Sequence, residues 1–178
     1  MLVIGFLLLL LLAAAWHDSL SRRIPNALVF PGAAVGVLSN GLLPAEMGGL
    51  GILDSLGGMG VGLVALLPLY LLRAMAAGDV KLMAMTGAFL GIEGAMGALL
   101  CVLLAGGVLA LWAAWCQGKL RRLLHNLRVL FVCTTSGSRN FPATGDPTLS
   151  AEASVGKLPY GVAIAAGTVL HLAVVQWS

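Results

Sequence analysis

Long apolar runs, separated by three islands of lysine and arginine, limit what this chain can fold into. The basic residues are Arg22 and Arg23, then Arg73 and Lys81, then Lys119, Arg121, Arg122, Arg128, Arg139 and Lys157. Charged residues make up 10% of the chain and hydrophobic ones 60%. A soluble domain carries about 25% charged residues. A core of 178 residues cannot hide that much apolar surface from water. The composition therefore excludes an ordinary soluble domain and points to an all-α polytopic membrane protein.

A bilayer crossing takes about 20 apolar residues in a helix. Such runs cover residues 1 to 16, 27 to 43 (with Pro31 as a kink) and 55 to 72, with Asp54 as an N-cap. A fourth starts at Val80, a fifth ends near Trp115, and a last one covers 160 to 177. The first run has the length of a signal peptide. No Lys or Arg precedes it, however, and Arg22 and Arg23 follow it, which fits an uncleaved segment. With about six transmembrane helices and both termini outside, every basic residue falls on the cytoplasmic side.

Residues 80 to 115 are short of material for two crossings and a turn, which need slightly more than about 40 residues. Glu93-Gly94 is the expected outer turn. A helix over 80 to 92 is only about 20 Å long, so Asp79 is expected to lie below the cytoplasmic surface, beside a water-filled cavity. The pairs Gly32 and Gly36, Gly58 and Gly62, and Gly87 and Gly91 have helix-packing spacing. The one sizeable polar segment, about 117 to 157, opens with an amphipathic stretch, 119 to 131. That stretch is expected to lie on an anionic leaflet. The whole chain reads as one membrane-embedded domain.

Cys101, Cys116 and Cys133 form no metal-ligand pattern, and Cys101 reads as a small hydrophobe. His17, His125 and His171 form no ligand set; His171 reads as a helix–helix contact. Among the acidic residues, Glu46, Asp54 and Glu93 fall outside and Asp146 and Glu152 fall in the polar segment. Only Asp18 and Asp79 share the inner membrane edge. Two carboxylates in one site hold a proton between them. One can then act as general base on a water while the other donates to a carbonyl. No metal or organic cofactor is needed. Taken singly, Asp18 reads as a span end and Asp79 as the N-cap of a helix from Val80.

Their flanks carry a resemblance. Asp18 with Arg22-Arg23-Ile24-Pro25-Asn26 resembles the first aspartate motif of the type IV prepilin peptidases. Ala77-Gly78-Asp79-Val80-Lys81-Leu82 resembles the second, GxGD, motif. Lys157-Leu158-Pro159-Tyr160-Gly161 resembles the segment that opens their last helix. The resemblance implies a membrane aspartic endopeptidase with Asp18 and Asp79 as catalytic dyad and Gly78 letting the loop approach the substrate backbone. Lys81 would tune Asp79, position substrate or anchor the inner edge. Pro25 and Asn26 would shape the start of the second span, with Pro25 in its first turn. Tyr160 would reach the site or serve as an interfacial aromatic.

The chain lacks the cysteine-bearing insert of the members that also methylate, and so is similar to the short Flp/Tad-type form. The implied partner is a prepilin with a basic leader and an apolar helix, cut at the cytoplasmic face of a bacterial inner membrane. No nucleic acid partner is implied. Ala76 stands where the motif has its first glycine, so this turn must suit an L-residue. The rival readings are a catalytically inactive pilus-assembly protein of the same fold and a small ion- or proton-coupled transporter. A transporter would carry acids nearer mid-span.

Overall fold

The computed structural model describes residues 2–22, 24–44, 48–71, 75–116, 118 and 160–177. Five helices account for nearly all of them: α1 (Leu2–Ser21), α2 (Asn26–Leu42), α3 (Ile52–Leu71), α4 (Ala77–Cys116) and α5 (Tyr160–Trp177). Met1–Gly106 with Pro159–Ser178 forms one compact unit, and Gly107–Leu158 forms another. In the second unit the described part is the end of α4, closed by Gly118 at φ 65, whose N–H meets the Trp115 carbonyl. The expected amphipathic stretch at 119 to 131 lies outside the described residues, as do Cys133 and His125.

Helices dominate because a bilayer interior offers the backbone no other partner. Three stretches are long and apolar enough to cross a membrane: Val3–Ser21, Ile52–Leu71 and Ala77–Ala113. Asn26–Leu42 and Tyr160–Val175 are shorter apolar helices. Their outward surfaces are those of a membrane protein: Leu12 is 70% exposed, Trp16 71% and Leu104 68%. Water would penalise such a surface, whereas lipid tails match it.

Helix α4 spans 40 residues, about 60 Å if straight and twice the depth of a bilayer core. It is not straight. Gly91 breaks it at φ 70, ψ −173, a conformation essentially confined to glycine. Tyr160 packs along Gly106 and lies within electrostatic reach of Asp79. A straight helix would set residues 79 and 106 about 40 Å apart, so the chain doubles back at Gly91. The turn expected at Glu93-Gly94 is thus corrected. Both residues are helical, and the reversal falls at the glycine whose backbone permits it.

The first half of α4 is the centre of the unit. Val80, Leu82, Met83, Met85, Ala88 and Phe89 are all buried. Hydrophobicity does not drive this, because lipid is as apolar as leucine; close van der Waals packing does. The glycines supply it. A Cβ on Gly32 would meet Met85 Sδ at 2.5 Å, and one on Gly36 would meet Phe89 at 3.0 Å. Gly58 faces the carbonyl of Gly87, and a Cβ on Gly62 would stand 2.5 Å from the Met83 carbonyl. The paired glycines are therefore contact points between helices.

Polar joints close the end of the unit where α4 reverses. The Asn40 amide donates to the carbonyls of Ala88 (2.9 Å) and Phe89 (3.1 Å). Ser55 Oγ donates to Ala88 at 2.5 Å. These carbonyls precede the break, and a helix end leaves such groups without intrahelical partners. Asp54 lies inside the first turn of α3 rather than at its N-cap. Its Oδ1 instead accepts the Ile92 N–H at 3.3 Å, serving the helix that restarts after Gly91. The correction follows from where α3 begins, at Ile52.

Candidate active site

The opposite end of the unit carries both aspartates. On α1 the buried positions are Leu7, Leu11, Ala14 and Asp18, a stripe at spacings of four, three and four that keeps one helical face inward. Asp18 is the last step of that stripe, because α1 continues beyond the expected Trp16 to Ser21. Arg22 then ends the helix at φ 53, with its N–H on the Asp18 carbonyl at 2.9 Å. Asp18 is 6% exposed, and its Oδ2 accepts the Gly161 N–H at 2.9 Å.

Asp79 is 4% exposed. Helix α4 starts at Ala77, not Val80, so Asp79 sits inside the first turn rather than at the N-cap. Its Oδ2 accepts the Ala76 N–H at 3.1 Å, while its own N–H meets the Ala76 carbonyl at 3.1 Å. A carboxylate at this position reaching back to the N-cap N–H is one half of a capping box. The acid is held by its own turn, and the positive end of α4 favours its negative charge. Asp18 and Asp79 lie close enough for one charge to act on the other.

Ala76 has no positive φ; among the described residues Arg22 is the only non-glycine that does. The turn therefore suits an L-residue without strain, as the motif departure requires. Gly78 is helical and not in a loop. A Cβ there would stand 3.2 Å from Ile24 Cβ, so its smallness admits the segment that joins α1 to α2. Pro25 occupies the N-cap of α2 at φ −68, ψ 131, one step before the first turn expected for it. Its carbonyl accepts the Leu28 N–H at 3.1 Å.

Lys81 does not stand alone at the membrane edge. Its Nζ donates to Asn26 Oδ1 at 3.1 Å and lies 5.2 Å from the centre of the Phe30 ring. It thus ties the Asp79-bearing turn to the start of α2. Tyr160 opens α5, half-buried, and Asp79 acts on its hydroxyl electrostatically. His171 packs its ring against Gly97, a helix–helix contact away from the acids. Among the described residues no group of His, Cys, Asp and Glu could hold a metal ion.

Two contacts of the site are not legible in the sequence, that of Lys81 with Asn26 and that of Gly161 with Asp18. The glycine was visible in the Pro159-Tyr160-Gly161 segment, but nothing local shows which side chain its N–H will meet. The remaining residues named from the sequence, Asp18, Asp79, Gly78, Lys81, Pro25, Asn26 and Tyr160, gather at this end of the unit.

Comparison with curated proteins and with solved structures gives no match. Residues 5–111, more than half of the chain, match the type IV leader peptidase family. That stretch contains both aspartates and the helices that carry them; α5, whose Gly161 meets Asp18, lies beyond it. The apolar helices are those of a membrane-embedded protein, the matched family is one of proteases, and the chain belongs to the type IV leader peptidase family.

Proposed function

We propose that the chain is an aspartic endopeptidase of the bacterial inner membrane that removes the leader peptide of Flp/Tad-like type IV prepilins at the cytoplasmic face. Counting α4 as two passes divided at Gly91 gives about six crossings, with both termini outside under the positive-inside rule. The observation that carries the reading is the pairing of Asp18 and Asp79. They come from different helices, lie buried at one end of the unit, and each accepts a backbone N–H.

Such a pair holds one proton between its members. The ionised carboxylate takes a proton from a water as that water attacks the scissile carbonyl. The protonated carboxyl donates to the carbonyl oxygen. As the tetrahedral carbon collapses, the C–N bond breaks, a hydroxyl proton returns to the carboxylate that had donated, and the proton taken from water passes to the leaving amine. Water is the only co-reactant, and the pair ends as it began. The ordinary backbone of Ala76 favours this reading over an inactive assembly protein.

The test is cleavage of candidate prepilins by the purified protein in liposomes. Asp18→Asn and Asp79→Asn should each lower the rate by about a thousandfold or more. Cleavage at the wild-type rate by either variant would overturn the dyad.

A further inference from the structure

We propose that Gly161 is a positioning residue of the dyad: its backbone N–H fixes the Asp18 carboxylate, and its bare Cα leaves the room that carboxylate fills. The inference rests on the reading of Asp18 as one member of the pair. Two observations carry it. The first is the buried N–H to Oδ2 bond at 2.9 Å. The second is steric: a Cβ on Gly161 would stand 2.9 Å from Asp18 Oδ2, 3.0 Å from its Cβ and 3.2 Å from its Cγ.

The backbone itself does not demand glycine here. Gly161 is not among the described residues of positive φ, which are Gly48, Gly51, Gly91, Gly118 and Arg22. The neighbouring small position in α5, Gly167, packs on the backbone of Cys101 and Val102 and is an ordinary helix contact. Gly161 differs because what it admits is a carboxylate. It lies in the first turn of α5, where N–H groups lack partners within the helix. The bond to Asp18 satisfies one of them, and the positive end of α5 favours the ionised acid.

The consequence is an asymmetry between the two acids. Asp79 takes its orientation from its own turn, three residues away. Asp18 takes its orientation from a helix 143 residues further along the chain. Carboxylate rotation about χ2 is broad and weakly restrained, so without the Gly161 bond Asp18 would be buried yet poorly aimed. With Oδ2 held, Oδ1 is the oxygen left to the water.

The test removes the N–H without adding an atom, by replacing the Tyr160–Gly161 amide with an ester (glycolic acid at 161). Gly161→Ala adds the clash, and Gly60→Ala, with nothing within 4 Å of its Cβ, is the control. Readouts are kcat and KM on a cleaved prepilin, and the infrared carboxylate band of Asp18, assigned by difference with Asp18→Asn. The ester protein should lose about tenfold in kcat with KM within about twofold, and its Asp18 band should shift. Gly161→Ala should lose more, and Gly60→Ala nothing. An ester protein with wild-type kcat, or an unmoved Asp18 band, overturns the proposal. Wild-type activity in Asp18→Asn overturns instead the dyad reading beneath it.

Discussion

The Gly161 N–H meets the Asp18 carboxylate at 2.9 Å, joining residues 143 positions apart. At the other end of the unit Asn40 reaches the carbonyls of Ala88 and Phe89. Between these polar joints lies the apolar core of Leu7, Leu11, Leu66, Met83, Met85 and Ile164. The length of α4 between them sets how far Asp79 stands from the reversal at Gly91.

Restoring the motif glycine should change little. Ala76 is exposed and has an ordinary φ, so Ala76→Gly gains no conformational relief. Cleavage should stay within about twofold, and stability should change by less than about 0.5 kcal/mol, because the freedom the unfolded chain gains is offset by glycine being the better N-cap residue. Cleavage assays with thermal unfolding in the same detergent check this. A large gain in rate would show that the turn is strained in a way its backbone does not record.

The interhelical glycines should resist enlargement. Gly58 and Gly87 each face the other's backbone carbonyl, and backbone yields less readily than a side chain. Gly58→Ala and Gly87→Ala should each cost about 1–3 kcal/mol. Gly60→Ala should stabilise by about 0.5–1 kcal/mol, since a helix-interior glycine is a liability. Unfolding in a denaturing detergent, measured side by side, tests the contrast.

The reversal of α4 should depend on Gly91 and Asn40. Gly91→Ala forces a side chain into a conformation that costs about 1–3 kcal/mol and pushes it toward the Asp54 carboxylate. Asn40→Leu strips a buried donor from two carbonyls, at about 1–3 kcal/mol. Both proteins should melt earlier than wild type, and a melting point equal to wild type for either would count against the joint.

Lys81 and Asn26 should act as a unit. Lys81→Met and Asn26→Ala each break the 3.1 Å bond, and the lysine variant also loses the Phe30 contact. Each should reduce kcat/KM by about fivefold, and the double variant should lose little more than the worse single one. Strictly additive losses would show that the bond between them does not matter to the site.

Much of this protein was legible in its sequence. The apolar runs dictated helices, because a bilayer leaves the backbone no other partner. The placement of Lys and Arg separated Asp18 and Asp79 from the other acids. The glycine pairs already had the spacing of close helix contacts. What the sequence could not show is which way each helix turns. On α1, Leu7 and Leu11 are buried while Leu9 and Leu12 face outward, and lipid and protein accept leucine equally, so no amphipathic signal marks the inner face. For the same reason nothing local revealed that Asp18 continues the buried stripe. The break at Gly91 rather than Glu93-Gly94, the reach of Asp54 to Ile92, the tie from Lys81 to Asn26 and the Gly161 bond were decided by tertiary structure alone. The last three are contacts between groups distant in sequence, and the break is one of several glycines made to turn; all depend on geometry that composition and periodicity do not carry.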